Sequence, residues 1–173
     1  LCHRMGLETF QGDFMYWTSA LTEAEVVKKF GGLTPMYGFR SKWGYTNAGF
    51  VIAGECIRKI TNESWESNVK KRIFIPLQMN RTIALSAEMP YQQNIAAPHT
   101  LVFDTLKLLP YPVIDNLAPA GSICSSVSDM SHWLICQLDS GKYNGKPVIP
   151  FPVIKETLKP QSIIGNSNSP FNR

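Results

Sequence analysis

The chain has 173 residues, 44% of them hydrophobic, enough length and apolar content for one packed domain and too much for wholesale disorder. Charged residues make up 17%, below the roughly 25% of an average soluble domain. Seventeen Lys+Arg against thirteen Asp+Glu leave +4, too mild a charge to point to nucleic acid. No apolar run nears the roughly 18 residues of a membrane span, and no signal peptide is recognisable, although the chain opens at Leu1 rather than Met.

In chain order, the first helix start is Leu21-Thr22-Glu23-Ala24-Glu25-Val26. Thr22 and Glu25 form a capping box, Leu21 can staple against Val26, and Gly31-Gly32 ends the helix after Phe30. A second helix is expected after Tyr45-Thr46-Asn47, with Phe50, Ala53, Ile57 and Ile60 as its apolar stripe. Gly49 and Gly54 each weaken it by about 1 kcal/mol relative to Ala, so close packing is expected to compensate, and Thr61-Asn62 break it. A third helix spans about Ser64 to Phe74, with Trp65, Val69 and Ile73 on one face and Pro76 as terminator. Residues 80–118 carry no sustained period and read as a long crossing segment with short extended pieces. A fourth helix opens at Ser126-Val127-Ser128-Asp129, a capping-box variant, with Met130, Trp133, Leu134 and Leu138 as its apolar face and Gly141 as its stop. Asn144-Gly145 is a tight turn, a short last helix covers about Val153 to Leu158, and residues 160–173 read as a linker cut short. Helices outnumber strands, with no βαβ rhythm, so a single mostly helical domain over 1–173 is expected.

The four cysteines, Cys2, Cys56, Cys124 and Cys136, include no CxxC pair, which excludes a zinc ribbon. Cys56 reads as a buried free thiol in an apolar helix. His132 and Cys136 are four apart on a helix, but no third ligand stands at metal-binding spacing, so neither metal nor cofactor is expected. Lys70-Lys71-Arg72, flanked by Glu63 and Glu66, reads as a solvated helix face. There is no GxxxxGK[ST], GxGxxG, HExxH or GxSxG. Ser67-Asn68-Val69-Lys70 has the Ser-x-x-Lys form of acylating enzymes, yet at about 100° per residue Ser67 and Lys70 fall opposite the Trp65 face. A lysine exposed there keeps its proton, so the pair is a decoy. Taken alone, Tyr45-Thr46-Asn47 says only that Asn47 caps a helix with Tyr45 beside it.

Three stretches give that tripeptide more meaning. Gly44 to Met79, with Tyr45-Thr46-Asn47, a helix, Thr61-Asn62-Glu63-Ser64-Trp65 and Arg72-Ile73-Phe74-Ile75-Pro76-Leu77-Gln78-Met79, resembles the serine β-lactamase-like family of class C β-lactamases, DD-peptidases and esterases. Leu1-Cys2-His3-Arg4-Met5-Gly6-Leu7 resembles that family's Leu-Ser-His-x-x-Gly-Leu, and Ala118 to Met130 its Pro-Ala-Gly-Gly…Ser-Ser…Asp-Met segment. Gln78, Ser122 and Asn62 stand where glycine is usual.

The resemblance implies the helical domain of an α/β serine β-lactamase/DD-peptidase-like fold, with little or no sheet. It implies an acyl-enzyme hydrolase in which Tyr45 moves the proton of a serine hydroxyl, while Asn47 orients a lysine and hydrogen-bonds the substrate amide. The Ser-x-x-Lys nucleophile upstream and the Lys-Thr-Gly or His-x-Gly strand downstream are not in the chain, so it is expected to be inactive alone. A non-catalytic helical interaction module of the same ancestry is the alternative. The implied partners are the α/β domain of the same protein and a small-molecule or peptide carbonyl substrate, with no nucleic acid and no membrane span. Family members are mostly exported in bacteria. The face meant for the other domain is expected to be exposed and apolar, favouring self-association.

Overall fold

In a computed structural model, residues 2–16 and 19–162 are described; the last stretch of the expected linker lies outside them. The elements run α1 (Glu23–Phe30), α2 (Ala48–Thr61), α3 (Trp65–Val69), β1 (His99–Val102), β2 (Thr105–Leu108), α4 (Ala118–Gly121), α5 (Val127–Leu138), β3 (Lys142–Tyr143), β4 (Lys146–Pro147) and α6 (Phe151–Thr157). Short 3₁₀ turns cover Asp13–Met15, Ser86–Tyr91 and Asp115–Leu117. The fold is mostly helical, with two isolated antiparallel hairpins, β1–β2 and β3–β4.

Local rules explain the first half of the chain well. Glu25 N–H donates to Thr22 Oγ1 at 3.3 Å and Thr22 N–H to Glu25 Oε2 at 2.8 Å, closing the capping box of α1. Those contacts hold the exposed Glu25 carboxyl below the usual carboxylate range. At the end of α2, Asn62 takes the left-handed conformation at φ 55, and Gln78 does the same at φ 56 after α3. These non-glycine residues sit where the family's glycines would cost no strain. Ser122 fills its glycine position by burying its hydroxyl, which donates to the carbonyls of Ala84 and Ala118.

Two apolar clusters organise the molecule. One joins Leu7, Tyr16, Val26, Phe30, Ala48, Val51 and Leu117 around α1 and α2. The other joins Phe74, Leu77, Met79, Ala84, Cys136 and Tyr143, with Trp65, Val69, Ile73 and Trp133 packed against it, as the α3 stripe required. His132 caps the junction beneath α5, its Nδ1 lying 2.9 Å from the Leu77 carbonyl.

Four local expectations are corrected. The inner face of α2 is Ala48, Val51, Gly54 and Glu55, whereas Phe50 and Ile60 of the expected stripe are exposed. The cause is close approach: a Cβ on Gly54 would lie 2.3 Å from Pro119 Cγ and 2.8 Å from Glu23 Oε1, so only the small side of the helix fits against α1 and α4. On α5, Trp133 packs inward with Cys136, while Met130, Leu134 and Leu138 face outward, Leu138 being 86% exposed. Cys56 is exposed, because it lies off the small-residue face of α2, and Cys136 is the buried thiol. Asp129 closes no capping box; its carboxylate accepts from Arg81 N–H at 2.8 Å and Thr82 Oγ1 at 2.7 Å, tying α5 to the segment after Met79. Ser126 Oγ still caps the helix through Asp129 N–H at 3.2 Å.

The β1–β2 hairpin, in a segment without sustained period, pairs Leu101 with Leu106 and Val102 with Thr105 across a turn at Phe103 and Asp104. Asn144 and Gly145, at φ 50 and φ 72, make the expected tight turn between β3 and β4. No helix among the described residues is long and apolar enough to cross a membrane.

Candidate active site

The Tyr45-Thr46-Asn47 turn lies where the N-terminal segment runs alongside the entry to α2. Gly44 N–H donates to the His3 carbonyl at 2.9 Å, and Phe10 N–H to the Tyr45 carbonyl at 2.7 Å. Tyr45 N–H reaches Thr9 Oγ1 at 3.2 Å. Glycine at 44 makes this contact feasible, since a Cβ there would stand 2.1 Å from the Leu7 carbonyl oxygen.

Tyr45 is half-buried in a ring of aromatic side chains rather than sealed in a core. The His3 imidazole stacks on its phenol ring with centroids 4.6 Å apart and planes 29° from parallel. Phe10 meets it edge-on at 5.4 Å, and Trp43 lies 6.5 Å away. Phe10 holds this pose at φ 61 with 62% of its surface exposed, an unusual backbone state for a bulky residue.

Asn47 stands at the N-cap position of α2 but makes no side-chain cap, contrary to the local reading of the tripeptide. Its amide turns inward instead. Nδ2 donates to Asp13 Oδ2 at 2.9 Å and to Tyr16 Oη at 3.0 Å, while the backbone N–H donates to the Asp13 carboxylate at 3.2 Å and 3.3 Å. Both protons of the amide nitrogen are spent, so Oδ1 is the group Asn47 has left to offer as an acceptor. The Asp13 carboxylate, 4% exposed, orients the amide, because only the nitrogen end can donate to it. Burial, and then the hydrogen bond and charge of Asp13, push the Tyr16 phenol far above its ordinary range, although Asn47 pulls the other way.

A second titratable group lies behind α2. Burial, then the charges of Glu55 and Glu66, push the Glu23 carboxyl up to about 7 against the opposing pull of Arg58. Its Oε1 is buried with no hydrogen-bond partner. Glu55 escapes the same fate because Arg58 binds it in a fork, at 2.9 Å and 2.7 Å.

The other sequence candidates do not join this site. Ser67 Oγ donates to Glu63 Oε2 at 3.0 Å and Lys70 Nζ to Glu88 Oε2 at 3.1 Å, so each member of the Ser-x-x-Lys decoy is engaged by a different carboxylate. Both are half-buried, not on open solvent. Lys71 pairs with Glu63 at 2.8 Å and Arg72 Nε donates to Asn68 at 3.1 Å, which accounts for the basic run. His132 and Cys136 gather no further ligand; among the described residues no three His, Cys, Asp or Glu side chains are placed to hold a metal. Asp13 and Tyr16 went unread in the sequence, where Asp13-Phe14-Met15-Tyr16 matches no motif; one signal was an acid and a phenol three residues apart just after Gly12.

The Beta-lactamase family profile matches residues 1–151. The chain belongs to the Beta-lactamase family. A curated relative, unguisins hydrolase of Aspergillus violaceofuscus, is 25% identical over 142 residues, covering 78% of this chain and 25% of its own length. Among solved structures, the octameric penicillin-binding protein homologue of Pyrococcus abyssi superposes with a TM-score of 0.74 at 20% identity, covering 95% of this chain and 38% of that one. D-amino acid amidase of Ochrobactrum anthropi, complexed with L-phenylalanine amide, follows at 0.71 and 22% identity, covering 90% and 44%. The chain thus spans a quarter of that curated relative and less than half of these structures, and it carries a helical part of the β-lactamase-like fold.

Proposed function

We propose that this chain is the helical portion of a serine acyl hydrolase of the β-lactamase-like group, contributing Tyr45 and Asn47 to a catalytic centre completed by residues outside the 173. The observation that carries the reading is the spent Asn47 amide: with Nδ2 held by Asp13 and Tyr16, Oδ1 is left as a fixed acceptor on the residue two positions after Tyr45. An acceptor at that place orients a lysine ammonium or a substrate N–H.

In the proposed reaction a serine Oγ, supplied from outside the chain, bonds to the substrate carbonyl carbon as Tyr45, acting as a phenolate beside a lysine ammonium also supplied from outside, takes the hydroxyl proton. The carbon–nitrogen bond then breaks, the proton passes to the departing amine, and water hydrolyses the acyl-serine ester. Amides are the favoured substrate class, since a D-amino acid amidase is among the proteins of similar fold. Chain 1–173 acts as one domain. Its partner is the remainder of the same protein, which covers the apolar residues of α5.

The competing reading, a non-catalytic interaction module, is favoured by the exposed Met130, Leu134 and Leu138. One experiment separates them: assay nitrocefin, p-nitrophenyl acetate and phenylalanine amide with the 173-residue chain and with a protein extended by its flanking sequence. The hydrolase reading predicts turnover by the extended protein alone. Turnover by the short chain that Ser67→Ala abolishes would overturn it, and no turnover by either would favour the module. Light scattering on the short chain adds a check, with self-association expected.

A further inference from the structure

We infer that His3 is a positioning residue for Tyr45, clamping the Tyr45-Thr46-Asn47 turn at its first two residues while Asp13 holds the third. This rests on the reading of Tyr45 as the reacting phenol.

His3 engages the turn at three successive residues. Its carbonyl accepts from Gly44 N–H at 2.9 Å, its ring stacks on Tyr45 at 4.6 Å, and its Nδ1 accepts from Thr46 N–H at 3.4 Å. Phe50 and Trp43 close around the same imidazole, with centroids at 5.5 Å and 5.9 Å. The backbone of His3 adopts φ 54 to do this, a left-handed state that costs energy in any residue but glycine. Accepting at Nδ1 puts the neutral ring's proton on Nε2. A carboxamide or hydroxyl side chain would supply the acceptor without the ring, and a phenyl group the ring without the acceptor. Histidine supplies both at once. Asn47 is fixed by Asp13 and Tyr16, so the turn is gripped at both of its ends and the phenol is held relative to the Asn47 amide. Preorganisation of this kind is what proton transfer to a positioned group requires.

Three variants separate the two contacts. In the 173-residue protein, His3→Ala should speed hydrogen exchange of the Thr46 amide about fivefold, the worth of one ordinary hydrogen bond, and shift the Tyr45 ring resonances. His3→Asn, with Oδ1 in place of Nδ1, should restore Thr46 protection but not the ring shifts; His3→Phe should do the reverse. In the extended protein, each variant should lower kcat about tenfold with KM within about twofold, since substrate binding is untouched. Thr46 protection unchanged in His3→Ala, kcat unchanged in all three variants, or loss of the fold in all three would overturn the inference. An extended protein that follows the exchange and ring-shift pattern yet hydrolyses nothing would sink the hydrolase reading while the clamp stands.

Discussion

The two apolar clusters are built on different terms. The cluster around Phe74, Leu77, Met79 and Cys136 is a scaffold whose buried polar neighbours, Ser122, Thr82 and Asp129, are hydrogen-bonded so as to tie its elements together. The cluster around Tyr16, Val26 and Val51 has Asp13, the Tyr16 phenol and the Asn47 amide inserted into its edge, and the orphaned Glu23 oxygen pressed against its back. Buried polar groups cost stability unless every partner is present, so the penalty in this half falls on the unpaired Glu23 oxygen behind α2. The difference lies in what the buried polar groups do: around the scaffold they join one element to another, and beside Tyr16 they orient the Asn47 amide.

Four substitutions sharpen or break that contrast. Leu77→Ala should be the most damaging, about 3 kcal/mol in a denaturant titration, because a fully buried leucine leaves a cavity in the scaffold. The Tyr45 ring resonances should stay put, and a shift would couple the halves more tightly than described. Asp13→Ala should cost about 2 kcal/mol by unpairing Asn47 and Tyr16, and here the Tyr45 resonances should move. Gly54→Ala should cost about 1–2 kcal/mol by the same titration, since the clash with Pro119 outweighs the roughly 1 kcal/mol gained in helix propensity.

Glu23 gives the smallest effect and a pH signature. Its carboxyl is raised from 4.5 to about 7 in the fold, so it destabilises once ionised. The neutral form's contribution is whole below about pH 4.5 and is lost as pH climbs through 7. After allowance for solvent around a half-buried group, the loss is about 1 kcal/mol. Glu23→Gln should match the parent near pH 4.5 and exceed it by about that amount at pH 8. Equal stability at both pH values would mean the carboxyl is paired in solution.

The sequence told most where local rules act alone. The capping box of α1, the α3 stripe, the Asn62 break and the Asn144-Gly145 turn all depend on neighbours within a few residues. It misled where a second element decides. The α2 stripe was read from hydrophobicity, but Gly54 against Pro119 selects the small face, a choice visible only once α4 is in place. Asp129 looked like half of a capping box because its spacing was right, and Thr82, 47 residues earlier, claimed it instead. Tyr45 and Asn47 were singled out through family resemblance alone; that His3, Asp13 and Tyr16 hold their turn was not visible, because these residues come from a segment more than 30 residues away.

The most direct test of the account is single-turnover acylation of the extended protein by a chromogenic amide, comparing the parent with Tyr45→Phe. The account predicts that removing one hydroxyl slows acylation by about 10²–10⁴ while leaving denaturation midpoints of the two proteins alike. Acylation at the parent rate in Tyr45→Phe would contradict it.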